Sequence, residues 1–155
     1  MEWNLVRDPL ADEIEPVLHS LGYSLVELNR QQVKGRLQVR VVIYHYDGIG
    51  LKDCEIVHKT ILPRIELIEE NDDVNLEITS PGITRNIKAA AEFTIFIDRK
   101  VRILKDVSDE WISGTIAGAD QESLQLDTSE GKKLVPISDI KKAKLAYSQE
   151  DEKRK

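Results

Sequence analysis

Apolar residues follow two regimes along the chain. As far as residue 88 helical spacing alternates with period two, and beyond it short period-two runs take over. Leu10, Ile14, Val17, Leu18 and Leu21 recur three and four apart, which predicts an amphipathic helix. Asp8 suits the capping position, Pro9 the first helical position and Gly22 the end, while Pro16 predicts a kink or a late start. Tyr23 to Asn29 reads as a strand and Gln31 to Gly35 as a turn. Leu37, Val39, Val41 and Ile43 alternate along a second strand, closed by Asp47-Gly48-Ile49-Gly50. From Leu51, the residues Cys54, Val57, Ile61, Ile65 and Ile68 mark one face of a second helix, disturbed at Pro63. A strand from Val74 to Thr79 completes an α-β-β-α-β module, in which two helices cover one face of three strands.

Ser80-Pro81-Gly82 stops that strand. Proline presets the first central position of a type II turn and glycine tolerates positive φ at the second, so a type II turn is expected there. Ile87 to Phe96 reads as a connector, with Ala89-Ala90-Ala91-Glu92 favouring a short helix and Phe93 and Phe96 placed to pack between domains. Strands follow at Val101–Leu104, Trp111–Ile116, Ser123–Leu126 and Lys133–Val135. A one-turn helix at Pro136–Ile140 precedes a last strand, Ala143 to Ala146. Five short strands with a turn before the last suit a small SH3-like (Sm-like) β-barrel. The expected fold class is therefore α+β, with an N-terminal domain over residues 1–88, a barrel over 89–147 and a disordered polar tail over 148–155.

At 155 residues the chain suits two small domains, each with a compact core. No run approaches the roughly 18 apolar residues of a membrane span. The start lacks a basic region followed by an apolar stretch, so no secretory signal is expected. Cys54 is the single cysteine, which excludes an internal disulfide and points to a reducing, cytoplasmic setting. Net charge is −6, against a general nucleic-acid coat. That charge is uneven: residues 1–88 carry 10 basic and 15 acidic side chains, and residues 89–155 carry 12 and 13. Such an asymmetry suits a basic protein partner, or one RNA site met through local patches.

Few residues suggest chemistry. Cys54 and His58 lie four apart on one helix face beside Asp53, but Cys54 belongs to the apolar stripe and no glycine loop supplies oxyanion donors. His19, His45 and His58 have no metal-ligand spacing, and Gly48-Ile49-Gly50 lacks the rest of any phosphate-binding fingerprint. No enzyme, cofactor or metal is expected. Arg99, Lys100, Arg102 and Lys105 bracket the first barrel strand; if Val101 and Ile103 face inward, Lys100 and Arg102 share the outer face. Lys132-Lys133 and Lys141-Lys142-Lys144 add two further basic groups. Against them, Glu66, Glu69, Glu70, Asp72 and Asp73 concentrate negative charge near the end of the second helix.

The run from Leu76 to Ile87 resembles the signature of the bacterial ribosome maturation factor RimP family: a Leu-Glu-Val strand, Ser-Ser-Pro-Gly, an apolar residue, then Asp-Arg-Pro-Leu. Here Thr79 stands at the first serine, Ile83 at the apolar position, Thr84 at the aspartate, Arg85 at the arginine and Asn86 at the proline. The flanks extend the resemblance. Pro16-Val17-Leu18, Leu21-Gly22-Tyr23 and Leu25-Val26-Glu27 are similar to the family's opening, and Gly50-Leu51-Lys52-Asp53-Cys54-Glu55 to its Thr-Leu-Asp-Asp-Cys-Glu helix start. Phe96-Ile97, Val101-Arg102-Ile103, Gly114-Thr115-Ile116 and the run from Val135 to Leu145 resemble its barrel, with Asp98 where the family usually has glycine. The resemblance implies a factor for assembly and maturation of the small (30S) ribosomal subunit. It would bind immature subunits transiently, through a small-subunit ribosomal protein and rRNA, without bond-making chemistry. Ser80, Pro81, Gly82 and Arg85 are then the motif contacts, half structural in role, with the turn fixing the domain angle and Arg85 pairing with an acidic group or a phosphate; Lys88, Lys100, Arg102, Lys105, Lys132 and Lys133 are candidate rRNA or protein contacts. On this reading a monomer is expected, and Arg85→Ala weakens subunit binding without unfolding the protein. The alternative is a barrel-based protein–protein adaptor unconnected with ribosomes.

Overall fold

The computed structural model describes residues 3–146, so the tail expected at 148–155 lies outside the described residues. Among the described residues, two sheets and three helices make a mixed α+β protein. Val6–Pro81 forms one compact unit, and the described residues on either side of it form the other. The chain thus passes between units at Pro81, where the division was expected at Lys88, and its first described residues join the later unit.

In the Val6–Pro81 unit the order is α1 (Pro9–Ser20), β1 (Ser24–Val33), β2 (Arg36–Tyr44), α2 (Leu51–Glu69) and β3 (Val74–Thr79). Asp8 caps α1 as expected, its carboxylate accepting from the Leu10 N–H at 2.9 Å. The helix runs through Pro16 and α2 through Pro63 without a break in either helix. β1 and β2 form an antiparallel hairpin whose two-residue turn is Lys34-Gly35, both at positive φ (52° and 82°), as a twist-matched hairpin turn requires. The turn expected over Gln31–Gly35 is therefore shorter, and β1 extends to Val33. Exposed on both sides, the segment Asn29–Val33 has no buried face to impose alternation.

β3 pairs with β2 in parallel, giving the order β1-β2-β3 with α2 as the crossover. Leu37, Val39, Val41 and Ile43 of β2 join Ile14 and Leu18 of α1 and Val57, Ile61 and Ile65 of α2 in one apolar core. The helix pair thus covers one face of the sheet, as the patterns predicted. α2 ends on Glu70 at φ 51°, a left-handed conformation that costs a side chain roughly 1–2 kcal/mol. Glu70→Gly is expected to raise stability by about 1 kcal/mol, read as a higher urea midpoint at unchanged slope. A lower midpoint would mean the glutamate side chain offsets that strain.

The other unit contains the short α3 (Glu92–Ile95), then β4 (Lys100–Lys105), β5 (Trp111–Ala119), β6 (Ser123–Thr128), β7 (Gly131–Pro136), a 3₁₀ turn at Ile137–Asp139, and β8 (Ile140–Leu145). Every expected strand is present. The sheet is antiparallel in the order β7-β6-β5-β4-β8, a four-strand meander whose last strand returns to the first. Val101, Ile103, Ile116, Leu124 and Leu126 fill its interior.

No ladder among the described residues joins β7 to β8, so the strands do not close into a hydrogen-bonded barrel. Residues 85–87 take up bonds of β8 instead: the Ile87 N–H donates to Ala143 O (2.8 Å), the Leu145 N–H donates to Arg85 O (2.9 Å), and Asn86 bridges to Lys144. Phe93, expected between the domains, lies 5.7 Å from the Trp3 ring, centroid to centroid, within the same unit.

Candidate binding surface

The type II turn expected on Ser80-Pro81-Gly82 does not form. Gly82 has no positive φ, and the closed turn lies two residues later, where the Arg85 N–H donates to Gly82 O at 3.0 Å. Ser80 and Gly82 are exposed and Pro81 half-buried. A Cβ added at Gly82 would meet nothing within 4 Å, so neither conformation nor space inside the fold requires glycine there.

Arg85 points inward. Its Nε–H donates to Glu92 Oε1 at 2.8 Å, and the two side chains are only 8% and 4% exposed. Glu92 Oε2 accepts the backbone N–H groups of Lys88 (3.1 Å) and Ala89 (3.2 Å). A carboxylate held by one guanidinium and two amides fixes the segment that follows the motif. Arg85 therefore shapes that segment from within, and the expectation of a fold-neutral Arg85→Ala gives way to a stability effect.

On β4, Val101 and Ile103 are fully buried, so Lys100 and Arg102 do share the outer face. Cross-strand register adds to them. Arg102 sits opposite Ser113 of β5 and Lys144 of β8, and Leu104 opposite Trp111 and Lys142. Trp111 is 40% exposed, with the Arg102 guanidinium carbon 4.8 Å and the Lys144 Nζ 5.9 Å from its ring centroid, both within cation–π range. An open cleft of about 370 Å³ adjoins this face, lined by Lys100, Ser113, Thr115 and Thr128 among others.

The remaining predicted cations do not join this group. A bulge at Leu104/Lys105 takes Lys105 out of the alternation, and Lys105 is half-buried. Lys132 lies on β7, three strands from β4 and roughly 14 Å away at ordinary strand spacing, and pairs in register with Asp127 of β6. Lys133 forms an ion pair with Glu130 at 3.3 Å. Lys88 is exposed beside the Arg85–Glu92 pair. Sequence alone places Trp111 only at the start of a strand. It gives Lys142 and Lys144 as a basic group with no place on a face, because their position depends on β8 returning to β4.

A sequence model of the RimP N-terminal domain matches residues 13–84. A protein from Borrelia hermsii (strain HS1 / DAH), named Ribosome maturation factor RimP, is 36% identical over 135 residues, covering 86% of this chain and 91% of its own length. Proteins of the same name from Borrelia recurrentis (strain A1) and Borrelia turicatae (strain 91E135) are each 31% identical, covering 87% and 86% of the chain. The chain belongs to the RimP family.

The match to the RimP N-terminal domain ends at Thr84, so Arg85 and the whole Trp111 face lie beyond it. Within it, the acidic cluster is partly engaged. Arg30 bridges Glu69 and Asp8, and Arg36 pairs with Asp73 at 3.1 Å. Burial pushes the Cys54 thiol up, which disfavours the reactive thiolate. No helix among the described residues is long and apolar enough to cross a membrane.

Asp53, at the start of α2 in this RimP domain, accepts the Tyr23 hydroxyl and the Gly50 N–H (2.7 Å). The bond from Tyr23, then that from Gly50, holds Asp53 below its ordinary value. The same Tyr23–Asp53 bond, then burial, pushes Tyr23 up to about 12. The bond needs an ionised aspartate and a protonated phenol. Its stabilisation is complete between the unfolded-state values of about 4 and about 10. On the acid side it is lost as pH falls through the depressed Asp53 value, and on the alkaline side as pH rises to about 12. An NMR titration of the Tyr23 ring is expected to show a midpoint near 12, falling toward about 10 in Asp53→Asn. An unmoved midpoint would deny the pairing.

Proposed function

We propose that this chain is a maturation factor of the small (30S) ribosomal subunit. It binds immature subunits transiently, through a ribosomal protein and rRNA, and leaves when assembly is complete. The observation that carries this reading is the 36% identity, over 86% of the chain, to a protein named Ribosome maturation factor RimP. The physical basis is differential binding: contacts available only in the immature arrangement favour it and vanish on completion. It acts in the cytoplasm as a monomer, by binding and not by catalysis.

The five-stranded unit is, on this proposal, an SH3-like (Sm-like) barrel. Its meander, the 3₁₀ turn before β8 and the return of β8 to β4 support that reading. The exposed Ser80 and Gly82, with Pro81 between them, offer a contact whose following segment is set by Arg85. Lys100 and Arg102 supply cations for phosphate, which position without reading sequence.

Gradient sedimentation of a cell lysate at low magnesium, with the protein followed by immunoblot, tests the reading. Migration with free small subunits, absence from complete ribosomes and loss on added salt are the expected results. Migration only at the top of the gradient would overturn it in favour of the adaptor.

A further inference from the structure

We propose that the outer face of β4, β5 and β8 is a stacking site for an unpaired nucleotide, with Trp111 as the platform and Lys100, Arg102, Lys142 and Lys144 as phosphate contacts. The inference deepens the rRNA contact of the proposed function and rests on it.

Trp111 begins the chain of reasoning. A large aromatic side chain on the outside of a strand adds little to the core, and 40% of this one remains open to solvent. Its partner Leu104 and the residues Ser113 and Thr115 share its side of the sheet. Arg102 and Lys144, directly opposite each other across β4 and β8, both bring their charges within 6 Å of the ring centroid. Lys100 and Lys142 extend the row on the same face. Asp109, in the turn before β5, is bridged by Lys141 at 3.5 Å, which offsets one nearby acid. Asp127 stands beyond Thr115 at the far side of the cleft.

Cations gathered around an exposed indole describe a particular ligand. A phosphate that reaches Arg102 or Lys144 carries its own base toward the ring, and every nucleobase has a π-face to lay on it. An acidic peptide would use the cations but gain little from the tryptophan. A duplex hides its base faces, so only its phosphates could be bound. The geometry points to single-stranded nucleic acid, held locally despite a net charge of −6 on the whole chain.

The test uses the full chain and a fluorescein-labelled, unstructured 12-nucleotide RNA, followed by anisotropy, with a duplex of the same RNA and a poly-glutamate peptide as comparisons. Trp111→Ala is expected to weaken single-strand binding about 5- to 150-fold, the usual range for loss of one stacking aromatic. Duplex binding is expected to stay within twofold. Trp111→Phe keeps a π-face and is expected to retain most of the affinity, which separates stacking from any loss of folding in the alanine variant. Lys142→Gln with Lys144→Gln should lower the salt slope by about 0.7 for each phosphate contact removed. Equal weakening of single strand and duplex, no effect of Trp111→Ala, or poly-glutamate binding that is as tight and as dependent on Trp111 would each overturn the proposal. If RNA binding is unaffected by Trp111→Ala while the protein still sediments with small subunits, the stacking site fails and the maturation role stands.

Discussion

Arg85→Ala is expected to destabilise the protein by about 3–5 kcal/mol, the usual cost of removing one partner from a buried ion pair. The cost comes from Glu92. With both side chains under a tenth exposed, removal of the guanidinium leaves a carboxylate out of water and without its cation, held by the backbone N–H groups of Lys88 and Ala89. Glu92→Gln should relieve part of the penalty in the Arg85→Ala background, because a neutral amide still accepts from Lys88 and Ala89. Urea unfolding of the wild type, both single variants and the double variant gives the coupling directly. A loss below about 1 kcal/mol for Arg85→Ala would place the pair in solvent and return Arg85 to the surface contacts. The wider effect is on the segment 85–87, which is bonded to β8 through Arg85 O and the Ile87 N–H. Freeing it exposes an edge of the strand that carries Lys142 and Lys144.

Local pattern was enough for most of the elements. Helical spacing from Leu10 to Leu21 and from Val57 to Ile65, and alternation from Leu37 to Ile43, arise because each element has one buried face, and that face is visible in a short window; Ile68, expected on the same face of α2, is instead 43% exposed. The pattern failed where burial did not impose it. Gln31–Val33 is exposed on both sides, so a strand there carries no alternation and reads as part of a turn. It failed again where tertiary bonds overrode local preference. Ser80-Pro81-Gly82 has the composition of a type II turn, yet Arg85 is anchored by Glu92 and by Leu145, and the closed turn falls on Gly82–Arg85.

The candidate surface was legible by half. Alternation around Val101 and Ile103 placed Lys100 and Arg102 outside together, which needs only one strand. Adding Lys144 and Trp111 needs the pairing of β4 with both β5 and β8. The second of these joins residues some forty positions apart, and no local signal carries it.

Trp3 is the extreme case of the same difficulty, and Trp3→Ala is expected to cost about 3–5 kcal/mol, as other buried aromatic truncations do. Only 5% exposed, its indole Nε1–H donates to Ile140 O at 2.9 Å, its ring lies against Phe93, and its carbonyl accepts the Ala90 N–H at 2.8 Å. The partners are 137 residues away for the indole bond, so nothing near Trp3 in sequence announces it. Truncation removes the ring from a small core and leaves Ile140 O without its donor, two costs that add. The loss should fall on one unit, since all these contacts belong to the unit that excludes Val6–Pro81. Hydrogen exchange read by mass spectrometry is expected to show faster exchange over β4 to β8 and little change over β1 to β3. Uniform loss of protection would mean that the two units unfold together, and no loss would mean that the N-terminal segment contributes no stability.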